Sequence, residues 1–259
     1  MNGVLLLKLV LTPLLIAGVS LAGRRWGPMV SGWLVGLPLT SAPVVLFLAL
    51  EQGTDFATQA AVGILLGLIS TAMFCLVYSR LAPHTLWPGS LLGSWAAVVA
   101  VPLGLRGVQL PLWPAAALVV GGLIGVRWAI PVTPAAIAEA LPLPRWDIPA
   151  RMVLATAFVL ALTAGAAALG PQLSGLIAPL PIYATILAVF THRLQGVPAT
   201  QRLLRALVTG VFSTVLFYLA LALLLQPTGL LMAFGGATSA ALGLHALSLT
   251  LMRRGPAGS

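Results

Sequence analysis

Apolar residues occur in long runs along this chain, and polar and charged residues are concentrated between the runs. A helix needs about 20 apolar residues to cross the roughly 30 Å hydrocarbon core of a bilayer. Runs of about that length do not show the strict alternation that is typical of half-buried strands. The pattern predicts nine membrane-spanning helices, at residues 4–23, 29–50, 58–82, 88–105, 110–130, 150–169, 173–192, 203–225 and 229–251.

A polar interruption separates the fifth predicted helix from the sixth. Residues 131–149 contain five prolines together with Glu139, Arg145, Trp146 and Asp147. Such a composition favours a surface or interfacial linker over a continuing helix. The chain is therefore divided into a first unit at residues 1–107, a linking helix with a cytoplasmic proline-rich linker at 108–149, and a second unit at 150–259.

The two units share a sequence pattern at a constant offset without gaps, which predicts an internal duplication of four helices. The fifth helix has no counterpart and would turn the second copy over in the membrane. The matching residues are Gly27, Pro28, Ser31, Gly32, Leu37, Pro38, Phe47, Gln52, Gly53, Gly67, Ser70, Thr71 and Phe74 in the first copy, and Gly170, Pro171, Ser174, Gly175, Leu180, Pro181, Phe190, Gln195, Gly196, Gly210, Ser213, Thr214 and Phe217 in the second.

Composition narrows the class of protein further. The chain of 259 residues is 60% hydrophobic and only 7% charged, a balance that indicates a polytopic membrane protein with the lipid bilayer as its surroundings. The net charge of +9 is then expected to report orientation in the membrane and not binding to nucleic acid. Cys75 is the single cysteine, so neither a disulfide framework nor a zinc motif is predicted.

Charge also predicts how the helices are oriented. If nine spans alternate across the bilayer, Lys8 and Arg106 fall on one side with Glu51 and Asp55. Basic loops stay in the cytoplasm, so the N-terminus is predicted outside and the C-terminus inside. Equivalent loops of the two copies carry opposed charge, as inverted copies require. The basic residues predicted on the cytoplasmic side are Arg24, Arg25, Arg80, Arg127, Arg145, Arg151, Arg193, Arg202, Arg205, Arg253 and Arg254.

Each copy has prolines inside an apolar run, Pro38 and Pro43 in the first and Pro179 and Pro181 in the second. Proline removes a backbone donor and breaks the helix, and in lipid such a break must be covered by protein or line a cavity. Substrate sites of inverted-repeat transporters lie at broken helices near the midplane. The residues predicted to contact a solute there are Thr40, Ser41, Tyr183 and Thr185, although a purely structural kink is the alternative.

Two further groups of polar residues lie within predicted helices. Ser70 and Thr71 recur as Ser213 and Thr214, and they either line the cavity or form a packing seam in which hydroxyl groups join helices. His245 lies inside the ninth run, where an ionisable group is a candidate proton carrier. The alternative is a neutral histidine that bonds a neighbouring helix.

Motifs for other chemistries are missing from the sequence. It contains no His-Glu-x-x-His, Gly-x-Ser-x-Gly or phosphate-loop pattern, and its four acidic residues fall outside the predicted midplane. Ser239 and His245 do not share a helix face, so they do not form a nucleophile and base pair. We therefore predict no enzymatic activity, no cofactor and no metal site.

Each half resembles the small four-helix GlpM-like proteins of bacterial inner membranes. In the second half the resemblance covers Ser-Gly-Leu-Ile-Ala-Pro-Leu-Pro-Ile-Tyr-Ala at residues 174–184, followed by Gly196, Arg202, Arg205, Gly210, Phe217, Tyr218 and Leu219. The first half departs at Thr40 and Ser41, where the second has Tyr183 and Ala184. The resemblance implies a bacterial inner membrane and a half-sized ancestor that assembled as an antiparallel pair.

The sequence thus predicts an all-α membrane protein of two inverted four-helix repeats, acting as a secondary transporter or facilitator for a small neutral or anionic solute. The rival is a non-transporting membrane scaffold, or a lipid-handling component of the scramblase kind, that supports envelope assembly. A transporter needs a polar cavity at the proline breaks, whereas a scaffold packs that region with side chains and a scramblase opens a groove to lipid.

Overall fold

The fold was analysed in a computed structural model, which describes residues 3–39, 41–105, 107–108, 110–131 and 146–254. All regular structure in these residues is helical. The helices are α1 (Gly3–Val35), α2 (Ser41–Gln52), α3 (Thr54–Leu81), α4 (Trp87–Gly104), α5 (Leu112–Ala129), α6 (Asp147–Ile177), α7 (Ile182–Thr228) and α8 (Leu230–Arg254). Helices satisfy their own backbone donors and acceptors, which is what a segment surrounded by lipid requires.

Six helices of the described part are long and apolar enough to cross a membrane, and they lie within α3 to α8. Only a minority of the residues of α4, α5, α6 and α8 are buried, whereas most residues of α3 are. Large exposed side chains such as Leu92, Leu231 and Met232 would face water in a soluble protein. The chain is therefore an all-α, multi-pass membrane protein, as the sequence predicted.

The predicted count of nine separate spans requires correction. The predicted run 29–50 is divided between the end of α1 and the 12-residue α2, which is too short to cross a bilayer alone. The run 173–192 is likewise divided between α6 and α7. Conversely, α1, α6 and α7 each extend through more than one predicted run. The other predicted helices correspond to α3, α4, α5 and α8, and residues 132–145 of the predicted linker lie outside the described residues.

Glycines lie at three further bends of the chain. Gly53 separates α2 from α3 with a φ of 93°, and Gly196 bends α7 with a φ of 78°. Both values lie in the left-handed region that residues with a Cβ atom rarely adopt. A third bend interrupts α6 at Gly170. The chain thus passes from one helix to the next with almost no intervening loop at these points.

The centre of the bundle is formed by α3 and α7, and α1 and α6 pack along them. The segment of α6 after Gly170 approaches α3 at Gly67, and the end of α1 approaches α7 at Gly210. A Cβ atom added at Gly67 would lie only 2.6 Å from the carbonyl oxygen of Leu176, and one added at Gly210 would overlap the carbonyl of Trp33. Glycine therefore permits two close helix seams, one on each central helix.

Candidate functional site

The two proline breaks have closely similar backbone structures. At the first break, the amide of Leu39 donates to the carbonyl of Leu37 at 2.7 Å, and the amide of Ala42 donates to that of Pro38 at 2.8 Å. At the second, Ile182 donates to Leu180 at 2.8 Å and Thr185 donates to Pro181 at 2.8 Å. The two donors and two acceptors of the first break occupy the positions that the predicted repeat pairs with those of the second. The same local pattern therefore produces the same turn twice.

The helix ends before the breaks leave carbonyls without partners in their own helices, and threonines from the other half of the chain bond them. The hydroxyl of Thr71 on α3 donates to the carbonyl of Pro179 at 2.7 Å. The hydroxyl of Thr214 on α7 donates to the carbonyl of Gly36 at 2.5 Å. Thr71 and Thr214 thus each stabilise the proline break that lies in the other half of the chain.

One cavity of about 50 Å³ lies between the two breaks. Both break segments line it, at residues 36–38 and 179–181, and so do the side chains of Ser41, Thr71, Tyr183 and Thr214. A water molecule in the liquid has a share of about 30 Å³. The cavity therefore has room for about one water-sized group in this conformation.

The electrostatics of this cavity favour an electronegative group. The helices α2 and α7 begin at Ser41 and Ile182, beside the cavity. Helix N-termini carry partial positive charge and amide donors. The opposing carbonyls of Gly36 and Pro179 already accept bonds from threonine. The described residues that line the cavity include no charged side chain.

Several residues that the sequence placed in the site lie elsewhere. The hydroxyl of Thr185 donates to the carbonyl of Pro181 and accepts a bond from the indole of Trp95 at 3.1 Å. Pro43 lies in the first turn of α2, where the missing amide donor costs little. Ser70 is fully buried, is absent from the cavity lining and has no hydrogen-bond partner among the described residues. Thr40 lies outside the described residues.

Ser213 belongs to a polar cluster with His245, Trp33 and Ser248. The Ser213 hydroxyl donates to the carbonyl of Gly210 at 2.5 Å, so its oxygen accepts the 2.8 Å bond from Nδ1–H of His245. The His245 ring stacks on Trp33 with 3.7 Å between the ring centroids. Trp33 donates to Ser248, which in turn donates to the carbonyl of His245.

This cluster joins α1, α7 and α8, and the direction of its Ser213–His245 bond follows from the bond that Ser213 donates to Gly210. His245 then carries its proton on Nδ1, and its buried Nε2 has no partner among the described residues. The geometry agrees with a neutral histidine that bonds a neighbouring helix, which was one of the two readings of the sequence. Sequence reasoning did not connect Trp33 with His245, because the contact joins helices that are distant along the chain.

An ion pair between a buried lysine and a more accessible glutamate was also missed. Nζ of Lys8 on α1 lies 2.6 Å from a carboxylate oxygen of Glu51 at the end of α2. The ammonium group also donates to the hydroxyl of Thr163 on α6 at 2.8 Å and lies 5.4 Å from the ring centroid of Phe47. The placement of Lys8 and Glu51 on one predicted side of the membrane was the only sequence signal of this pair.

A second, larger cavity of about 670 Å³ lies further along α3 and α6. Gly63 and Leu66 of α3, Gly170 and Gln172 of α6, and Val108 of the α4–α5 connection contribute to its lining. The Gln172 side chain donates to the carbonyl of Val108 at 2.7 Å. This cavity is separated from the small one by the seam between α3 and the last part of α6.

No three histidine, cysteine or carboxylate side chains of the described residues are grouped as a metal site would require. Cys75 is buried. Comparison with protein-family models, with curated protein sequences and with solved structures finds no match to the chain.

Proposed function

We propose that the chain is a secondary transporter or facilitator for a small neutral or anionic solute. The single observation that carries the proposal is one cavity formed jointly by both proline breaks. Two helix N-termini and the hydroxyl groups of Ser41, Thr71, Tyr183 and Thr214 line this cavity. Broken helices that meet at a polar cavity form the solute site of many secondary transporters.

We further propose that the two halves are inverted repeats, with the N-terminus outside and the C-terminus in the cytoplasm of a bacterial cell. The exchanged bonds of Thr71 and Thr214 support a two-fold relation between the halves. The equivalent turns at Gly53 and Gly196 support it as well. Two equivalent halves in opposite orientations can exchange conformations at little cost, which is the basis of alternating access.

In this proposal the two glycine seams are gates. The seam between α3 and α6 separates the small cavity from the larger one, which would open to the outside. The seam between α1 and α7 closes the opposite face. The volume of about 50 Å³ leaves room for only a water-sized group in this conformation, so a larger solute would enter when one seam opens.

The small volume of the site also favours the second candidate, a non-transporting scaffold that packs the breaks tightly. The two functions predict different rates of solute entry into liposomes that contain the protein. Purified protein is reconstituted into liposomes, and entry of chloride, formate, urea and water is followed by stopped-flow light scattering. A transporter accelerates the entry of at least one of these solutes over protein-free liposomes, whereas a scaffold accelerates none.

Variants at the proline breaks test whether solute entry depends on the cavity between them. Pro38→Ala and Pro181→Ala restore a backbone donor and favour a continuous helix. We expect them to reduce flux at least tenfold while the amount of folded protein falls less than twofold. Gly122→Ala is a matched control, because a Cβ atom added there contacts nothing within 4 Å. Equal losses of folded protein and flux would contradict a site at the breaks.

A further inference from the structure

Three arginines lie on α3, α5 and α7 at one end of the bundle, away from the small cavity between the proline breaks. Arg80 and Arg127 lie in the last turns of α3 and α5. Nε of Arg80 donates to the carbonyl of Ala129 at 2.9 Å, and Nε of Arg127 donates to the hydroxyl of Thr209 at 2.9 Å. Thr209 donates to the carbonyl of Arg205, one turn earlier on the same face of α7. These contacts place the side chains of Arg80 and Arg127, and the backbone of Arg205, at the junction of α3, α5 and α7.

The donors of these groups are largely unused. Arg80 and Arg127 each bond the protein through Nε, and their terminal amino groups have no protein partner among the described residues. Nε of Arg205 is buried and has no partner either. The one ion pair of the described residues, between Lys8 and Glu51, involves none of them. Guanidinium groups with unused donors and no carboxylate partner attract an anion.

The guanidinium donors favour a phosphate group as the bound anion. A guanidinium held by Nε presents its terminal amino groups as a fork that fits two phosphate oxygens. Trp128, directly after Arg127, is 84% exposed, and Ile124 one turn earlier on α5 also faces outward. Tryptophan is enriched where the lipid headgroups begin. A phosphate at this level, beside an apolar helix face, belongs to a lipid.

We propose that Arg80, Arg127 and Arg205, braced by Thr209, bind the phosphate headgroup of an anionic membrane phospholipid. The site is built from three helices, so the lipid would hold α5 against α3 and α7. The inference depends on the membrane location of the helices and is independent of the proposed transport.

The test is retention of phosphatidylglycerol by the purified full-length chain, measured by native mass spectrometry against phosphatidylcholine. We expect selective retention by the unmodified protein. Arg127→Gln and Arg205→Gln should each weaken it about tenfold, because a hydrogen bond to a charged group is lost. Arg25→Gln removes the same charge from an exposed position on α1 and should leave retention unchanged.

Arg127→Lys keeps the positive charge but loses the paired terminal amino groups of the guanidinium, so it should retain less phosphatidylglycerol than the unmodified protein. This variant keeps the test decisive if the glutamine variants fold poorly. Equal retention of the two lipids, or equal retention by Arg25→Gln and Arg127→Gln, would overturn the proposal. Full displacement of phosphatidylglycerol by millimolar inorganic phosphate would also overturn it and would identify a site for free phosphate.

Discussion

Replacing the seam glycines one at a time should open the two faces of the protein selectively. A Cβ atom at Gly67 would lie 2.6 Å from the carbonyl oxygen of Leu176 and 2.6 Å from Cγ of Pro179. Ordinary contacts of carbon atoms lie near 3.5–4.0 Å, so the α6 segment must retreat by about 1 Å. At Gly210 the added atom would overlap the carbonyl of Trp33, and the end of α1 must retreat instead.

The energy of this overpacking gives the expected size of the effect. Inserting a methyl group into a packed interior costs about 1–3 kcal/mol. That cost falls on the conformation in which the seam is closed, so the population shifts toward the open one by roughly 5- to 150-fold. Gly67→Ala should favour opening toward the larger cavity, whereas Gly210→Ala should favour opening toward the opposite face.

The assay is the labelling rate of a single cysteine at Ala184, in a Cys75→Ala background, by a membrane-impermeant maleimide. Gly67→Ala should raise the rate from the outside, and Gly210→Ala from the cytoplasmic side of inverted vesicles. Gly122→Ala should change neither rate, since its added atom meets no neighbour. An increase from the same face in both variants, or lower thermal stability with no change in labelling, would refute the gate interpretation.

Two further predictions concern buried polar contacts. Glu51→Gln leaves the ammonium of Lys8, a side chain only 7% exposed, without its counter-charge. The variant should lose about 3 kcal/mol of stability, or about 6–12 °C in melting temperature. Lys8→Met combined with Glu51→Gln should recover most of this loss. A double variant that is less stable than Glu51→Gln would contradict the pairing. His245→Leu removes the donor to Ser213 and the ring stacked on Trp33, so it should cost about 2 kcal/mol. In a thermal-unfolding double-mutant cycle, Ser213→Ala should cause little further loss of unfolding free energy in the His245→Leu background. Losses that add fully would argue against the hydrogen bond between the two side chains.

The membrane class and the position of the breaks could be predicted from sequence because both depend on local properties. Long apolar runs identify helices in lipid, and a proline such as Pro38 removes a backbone donor and so favours a break in the helix. The count of spans was less predictable. Hydrophobicity does not distinguish one continuous run from two half-helices that meet at a break, so the runs 29–50 and 173–192 were each read as a single helix.

The partners of the polar side chains could not be predicted, because they depend on how distant helices pack. Thr71 and Pro179 lie 108 residues apart, and their bond exists only because α6 crosses α3 at the glycine seam. Thr185 was assigned to the solute, yet its hydroxyl bonds its own helix, a local alternative that threonine often adopts.

The central claim is that water reaches the midplane cavity alternately from the two faces, and cysteine accessibility tests it most directly. Ser41 and Ala184 are only 3% and 2% exposed here, so a thiol at either position reacts only if the protein visits other conformations. We would introduce cysteine at each position in turn, in the Cys75→Ala background, and apply an impermeant thiol reagent from each side of sealed vesicles. The account predicts labelling of the same position from both faces. Absence of labelling from either face at both positions would contradict it and would identify the proline breaks as buried packing.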